Sequence, residues 1–298
     1  MASAVKPTEL IQLKNILYPT DFSEPSELAL PFATALARRY DATIHALHVL
    51  TPIVTPESGM SGIAVQAEVE SASSFMHQLD SQLAGVEHQT TVENALSVWE
   101  AVEHAIGEQA IDLIVIGTHG RTGVPRLLLG SVAEEVFRRS PCPVMTVGPA
   151  VRTSTHTGGR FRRILFATDY SAASAVAGPY AVSLAENNEA RLLLLHVTRP
   201  IEQRKRDQKC ELSVAEMIHR LYDIVPERAH LSIPPEVSIE YGSPAERIID
   251  AAKHRSADLI VLGVRSARGH LGAATHLERR TAHEVVARAS CPVLTVRE

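Results

Sequence analysis

A chain of 298 residues with 45% hydrophobic content is long enough for two packed domains. Its formal charge of −5 and aromatic content of 4% argue against a basic nucleic-acid platform with stacking rings. No run of 18 apolar residues is present and Met1–Lys14 lacks a charged-then-apolar leader pattern, so neither a membrane span nor export is expected and the protein reads as cytoplasmic. The three cysteines, Cys142, Cys210 and Cys291, show no metal-ligand spacing and read as reduced, small core residues.

Taken in order, residues 1–13 form a polar lead-in with Pro7. Asn15-Ile-Leu-Tyr-Pro19 predicts a first strand, and Thr20-Asp-Phe-Ser23 turns into a helix from about Pro25 to Tyr40. Thr43–Leu50 predicts a second strand, residues 51–62 a loop, and Ile63–Leu83 a long helix. A third strand is expected near Thr90–Glu93, a helix over Val98–Gln109, and a fourth strand over Asp112–Gly117. Ser131–Arg139 reads as a helix and Pro143–Val147 as a fifth strand. Strands alternating with helices imply α/β architecture, an open parallel sheet with helices on both faces.

The pattern then repeats. Arg163-Ile-Leu-Phe-Ala-Thr-Asp-Tyr-Ser171 echoes Asn15–Ser23 at an offset of 148, and from Lys14 to Val49 that offset needs no gap. His48-Val49 returns as His196-Val197, Asp112–Gly117 as Asp258–Gly263, and Cys142–Val147 as Cys291–Val296. A repeat this long is a duplicated domain rather than a solenoid. Gly148–Arg160 reads as a flexible linker, giving domains at residues 1–150 and 160–298.

The fourth strand runs into Gly117-Thr-His-Gly120, and nine residues later Gly130-Ser131 opens a helix. Glycines let a backbone approach a ligand and reach φ > 0. Ser131 is placed to cap the helix, whose free amides and positive dipole end suit an anion. The loop is neither a Walker loop, since no Gly-Lys-Ser/Thr ends it, nor a dinucleotide fingerprint, since the spacing differs. Ligands of open parallel sheets bind at the carboxyl ends of the strands. If the first and fourth strands are neighbours, Asp21 and the glycine loop share one crevice. There a carboxylate accepts from a ribose hydroxyl or a base amine. The alternative is that Asp21 or Ser23 serves only as a helix cap.

The Pro19-Thr-Asp-Phe-Ser23 start, His48-Val49, the Gly-x2-Gly-x9-Gly-Ser loop and the Pro-Cys-Pro-Val ending together resemble the universal stress protein family, over nearly the whole chain and in a tandem two-domain form. The resemblance implies two Rossmann-like, five-stranded parallel sheets in the order 3-2-1-4-5. It also implies ATP binding wherever the glycine loop is kept. On that pattern Pro19, Thr20 and Asp21 lie on the ribose or adenine side, and Val49 and Ile116 line the base pocket. Gly117, Gly120, Gly130, Ser131 and Val132 hold the phosphates, with His119 and Arg121 adding charge and Mg²⁺ accompanying the triphosphate. The implied role is a nucleotide-dependent regulatory module of the stress response, working through an unidentified protein partner. The two domains would pair within the chain as a pseudo-dimer, with homodimerisation as a further step. The alternatives are a non-nucleotide dimerising scaffold and a slow ATPase. Adenylating relatives of such folds carry Ser-Gly-Gly-x-Asp-Ser or His-x-Gly-His signatures, which do not occur here, and no nucleophile with a paired base is visible.

The second half departs from the pattern. Gly263-Val-Arg-Ser266 lacks the second glycine, the loop Ala267–Glu278 is longer, and Arg279-Arg280 stands where Gly130-Ser131 stands in the first half. Only the first domain is expected to bind ATP tightly, although Arg279 and Arg280 could take an anion through their side chains. Asp169 and Val197 remain, so a base or nucleoside still fits. His48 and His196 read as core or sheet-end residues, and Glu202–Lys209 as a solvated charged loop.

Overall fold

The computed structural model describes residues 11–51, 62–118, 129–151, 160–198, 212–265 and 273–298, with side chains outside the description at 62–68 and 273–280. The charged run Glu202–Lys209, Cys210, most of the linker and most of the lead-in therefore lie outside the described residues. The chain divides into two compact units, one built mainly from Leu13–Gly159 together with Val286–Pro292, the other mainly from Arg160–Val285 and Val293–Glu298.

The first unit contains strands β1 (Asn15–Pro19), β2 (Thr43–Leu50), β3 (His88–Asn94), β4 (Leu113–Gly117) and β5 (Val144–Val147). They pair in parallel in the order β3-β2-β1-β4-β5. Its helices are α1 (Glu24–Glu27), α2 (Leu30–Tyr40), α3 (Gly62–Gln82), α4 (Val98–Glu108) and α5 (Ser131–Arg139). All five residues of β4 are buried, as are four of the five in β1. Successive strand residues point to opposite faces, so both faces of the sheet are covered. The core is Ile16, Leu17, Tyr18, Ile44, Ile114 and Val115, each essentially inaccessible.

The second unit repeats this with β6 (Arg163–Thr168), β7 (Arg191–Thr198), β8 (Glu236–Tyr241), β9 (Leu259–Val264) and β10 (Val293–Arg297), parallel in the order β8-β7-β6-β9-β10. Helices α6 (Ala172–Asn188), α7 (Val214–Tyr222), α8 (Pro244–His254) and α9 (Ala273–Arg288) cover it. In each unit the order is the expected 3-2-1-4-5.

Three details differ from the sequence reading. The helix expected over Pro25–Tyr40 is two, α1 and α2, with Pro31 in the first turn of α2; proline alone does not account for the break, since the matching Pro179 lies inside the unbroken α6. The third strand begins at His88 rather than Thr90. The segment before Arg279 is not loop throughout: α9 begins at Ala273. Cys291 is a buried core residue as expected, whereas Cys142 is half-buried, its thiol pushed up by burial.

Candidate functional site

A cavity of about 200 Å³ opens at the carboxyl ends of β1, β2 and β4, where the chain leaves each strand for its helix. Strand order puts β1 directly beside β4, with Leu17 opposite Ile114, so the turn after β1 and the turn after β4 meet there.

The turn after β1 is tightly built. The Thr20 amide donates to the Leu47 carbonyl at 2.9 Å. The Phe22 amide donates to Thr20 Oγ1 at 3.0 Å, with Phe22 in the left-handed region at φ 58°. Few non-glycine residues adopt that conformation, so the surroundings must hold it. They do: the Phe22 ring lies 4.5 Å from the His48 ring and 5.1 Å from Phe75 of α3. His48 Nδ1 lies 2.8 Å from the Thr20 carbonyl oxygen. A carbonyl only accepts, so Nδ1 carries the proton. His48 is thus a positioning residue, in keeping with a sheet-end role.

Asp21 does two jobs at once. Its Oδ1 accepts from the Ser23 amide at 3.1 Å and from Ser23 Oγ at 2.5 Å. Ser23 in turn caps α1 by accepting from the Ser26 amide. Asp21 also borders the cavity, so the turn-building reading and the ligand-facing reading are compatible.

Gly117 has a different reason from the one the loop pattern suggests. It is not at positive φ. A Cβ there would stand 2.4 Å from the Pro25 carbonyl oxygen, so the glycine lets the start of α1 lie against the end of β4. Gly263 repeats this in the second unit, where a Cβ would meet the Ala173 carbonyl oxygen at 2.2 Å. Close packing of backbone on backbone requires a glycine at both positions.

Opposite the Asp21 turn stands the start of α5. Gly130, not Ser131, is its N-cap, and among the described residues no side chain caps this end. The Gly130 amide turns back to the Thr118 carbonyl at 2.7 Å, which fixes the entry of the helix. Ser23, Ser97, Ser171 and Ser213 each accept an amide of the helix they precede, whereas α2 and α8, like α5, start without a side-chain cap. At α5 the first-turn amides of Ser131, Val132 and Ala133 have no such cap, and these residues line the cavity. An uncapped helix start presents N–H donors and the positive end of the dipole.

Of the residues singled out from sequence, Pro19, Thr20, Asp21, Val49, Ile116, Gly117, Gly130, Ser131 and Val132 are brought together around this one cavity. His119, Gly120 and Arg121 lie outside the described residues. Ser26, Leu47, His48, Val98 and Ala133 also line it and were not singled out as site residues. Val98 follows the Ser97 cap at the start of α4, so every strand-to-helix junction facing this edge was a candidate on the topological rule alone. Among the described residues no group of three His, Cys, Asp or Glu could hold a metal ion.

The second unit has a cavity of about 160 Å³ in the corresponding place. Asp169 borders it, Oδ1 accepting from the Ser171 amide at 2.9 Å and Ser174 Oγ at 2.7 Å. Burial pushes this carboxyl up, but the hydrogen bonds from Ser171 and Ser174 together outweigh it and hold it below the usual carboxylate value. Tyr170, at φ 61°, stacks 4.3 Å from His196, whose Nδ1 meets the Thr168 carbonyl at 2.8 Å. The Asp–aromatic–His device is therefore built twice. The start of the last helix is not. Thr281 and Ala282, which line this cavity, are the counterparts of Val132 and Ala133. They lie inside α9, eight residues or more past its start at Ala273, where amides bond within the helix.

The sequence pattern of the universal stress protein family matches residues 12–148 and again residues 160–297. A universal stress protein of Mycolicibacterium smegmatis is 25% identical over 294 residues, covering 95% of this chain and 96% of that one. A universal stress protein of Methanocaldococcus jannaschii is 35% identical over 139 residues, covering 45% of this chain and 81% of that one. Among solved structures, a universal stress protein from Archaeoglobus fulgidus matches at 22% identity with a TM-score of 0.72, covering 96% of this chain and 99% of that one. The chain belongs to the universal stress protein family, with two tandem copies of the family's domain.

Proposed function

We propose that this tandem universal stress protein is a cytoplasmic, nucleotide-dependent regulatory module whose first domain, within residues 1–150, binds ATP. One observation carries the reading: the uncapped start of α5 and the Asp21 carboxylate border the same cavity, joined by the apolar walls of Val49 and Ile116. The amides of the first turn suit phosphate oxygens. The carboxylate suits ribose hydroxyls or a base amine, and the apolar walls suit the base. Mg²⁺ would arrive with the triphosphate, since magnesium is commonly held by phosphate oxygens and water rather than by a protein-only cage. His119, Gly120 and Arg121 belong to the proposal through the family pattern alone.

The regulatory step would be a shift of population: nucleotide binding favours one arrangement of the segment between Gly117 and Gly130, and a protein partner reads it. The second domain, residues 160–298, would support rather than bind triphosphate, because α9 begins before the positions that would cradle it.

The test is to denature freshly purified protein, identify what it releases by chromatography and mass spectrometry, and titrate the emptied protein with Mg-ATP. About one ATP per chain is expected. No nucleotide released and no binding of added Mg-ATP would overturn the reading in favour of a scaffold, with the glycines there for packing only.

A further inference from the structure

We infer that the second domain carries a site for a phosphoryl dianion, free phosphate or a phosphate monoester, at the amino-terminal edge of its sheet. This is the edge away from the Asp169 cavity. The site is a crevice of about 280 Å³ whose charged lining is Arg163, Arg191, Glu236, His254 and Arg255. No residue of the Asp21 cavity takes part.

Strand register brings the charges together. Arg163, which opens β6, stands opposite Arg191, which opens β7, and Leu193 stands opposite Glu236, which opens β8. Partners on neighbouring parallel strands share a face, and so do residues two apart on one strand. Arg163, Arg191 and Glu236 therefore project from one face of the sheet, where the end of α8 closes the crevice with His254 and Arg255. Glu236 uses both its oxygens: Oε1 accepts from Arg191 Nη1 and Oε2 from Arg255 Nη1, each at 2.8 Å. Arg163, beside Arg191 at the strand spacing of about 5 Å, has no carboxylate partner for its side chain among the described residues. Asp258 lies outside the lining, its Oδ2 accepting the Arg162 and Arg163 amides at 2.7 and 2.9 Å. Within the crevice three guanidinium groups thus face one carboxylate, an excess of two positive charges.

The fold alone does not call for these charges. Basic residues at the end of a helix complement its dipole, which would account for His254 and Arg255. Yet α4, the counterpart of α8, has no basic residue in its last turn. Where the second domain has Arg163, Arg191, Glu236 and Arg255, the first has Asn15, Thr43, Gln89 and Gln109, and the same edge forms there on neutral side chains. In the second domain the like charges of Arg163 and Arg191 repel across neighbouring strands, and Glu236, shared with Arg255, offsets this only in part. A bound dianion completes the balance, and a monoanion does not. Guanidinium forks match the oxygens of a phosphate. Arg191 and Arg255, already held by Glu236, are oriented before the ligand arrives.

The test is isothermal titration of the full-length chain with inorganic phosphate, glycerol phosphate and acetate, at one fixed ionic strength so that screening is constant. Four proteins are compared: wild type, Arg163→Gln, Arg255→Gln and Ser131→Pro, each checked for folding by its thermal melt. Arg163→Gln leaves both ion pairs of Glu236 in place, and Arg255→Gln leaves the one to Arg191. The expected result is a phosphate component retained in Ser131→Pro and weakened about tenfold or more in Arg163→Gln and in Arg255→Gln. Acetate should bind about tenfold or more weakly than phosphate. Tighter binding of glycerol phosphate than of inorganic phosphate would identify the ligand as a phosphorylated small molecule; equal or weaker binding would identify free phosphate, and both support the site. The inference is overturned if wild type binds neither phosphate nor glycerol phosphate into the millimolar range, or if either arginine variant binds them as wild type does. It is also overturned if acetate binds as tightly as phosphate. Loss in Ser131→Pro would overturn it too, since the phosphate would then sit at the start of α5.

Discussion

Replacing Ser131 by proline separates the backbone of α5 from its side chains. Ser131 is the first residue of the helix, its side chain is exposed, and it caps nothing. Proline is favoured at this position because the missing N–H has no partner within the helix. A residue before proline must be extended, and Gly130 already is, at φ −62° and ψ 150°. The substitution therefore deletes one amide donor and leaves the helix standing. If that amide holds a phosphate oxygen, a charge-assisted hydrogen bond worth about 1.5–3 kcal/mol is lost. Binding of Mg-ATP should then weaken by about 10- to 150-fold. Stability should stay within about 1 kcal/mol of wild type, on the favourable side if anything, because proline restricts the unfolded chain. Ser131→Ala keeps the amide and should weaken binding less. The assay is isothermal titration with Mg-ATP beside a thermal melt of each variant. A Ser131→Pro protein that melts normally and binds ATP as wild type does would refute the backbone cradle. Equal losses in the alanine and proline variants would assign the contact to the hydroxyl instead.

Other consequences follow from single contacts. Gly117→Ala and Gly263→Ala should each destabilise their own domain by about 1–3 kcal/mol or more, since the new methyl group meets a backbone carbonyl at 2.4 Å and 2.2 Å respectively. Chemical denaturation reads this, and a silent Gly263→Ala would mean that the glycine is not there for packing. Asp169 is held below its unfolded value, so the stability it contributes is present above the ordinary carboxylate range and lost as pH falls through the folded value. The stability difference between wild type and Asp169→Asn should accordingly shrink when urea melts are moved from pH 7 to pH 3; a constant difference would disprove the ionised turn. Burial pushes Tyr18 up to about 12, and its hydroxyl donates to the Ser26 carbonyl at 3.0 Å. Its stabilising contribution is complete below the usual tyrosine value of 10.0 and lost as pH rises toward 12, so Tyr18→Phe should lose less stability over that interval. Equal alkaline losses in both proteins would show that Tyr18 does not carry them.

How much of this was legible in the sequence depended on where each constraint sits. β1, β4 and β9 were readable because apolar runs buried on both faces are interrupted by turn residues within a few positions. The edge strand β3, His-Gln-Thr-Thr-Val-Glu-Asn, is half-buried and polar, so its boundaries blurred. The cluster of Asp21, Val49, Ile116 and Ser131 around one cavity followed from strand order once the repeat and the family pattern supplied it. What was not legible was contact between distant backbones. Nothing local says that Gly117 faces the Pro25 carbonyl, so the glycine reads as a ligand feature until the neighbour is known. The early start of α9 had a local signal that alignment to the first half concealed. Ala273 to Glu284 contains neither glycine nor proline and is rich in good helix formers, which favours helix over loop.

The duplication makes the molecule its own control. The Asp turn, the left-handed aromatic residue, the histidine beneath it and the close-approach glycine occur in both domains, and each is accounted for by contacts within the protein. They keep the edge of the sheet in shape, so their presence alone is no argument for a triphosphate in either domain. The feature that divides the domains is where the helix after the fourth strand begins: at Ser131 in one, and before the matching residue, at Ala273, in the other. Moving a helix start by two turns changes which amides are free without touching the sheet, the cavity or the carboxylate. The same sheet edge is thus kept in both domains while the helix after the fourth strand starts at a different place.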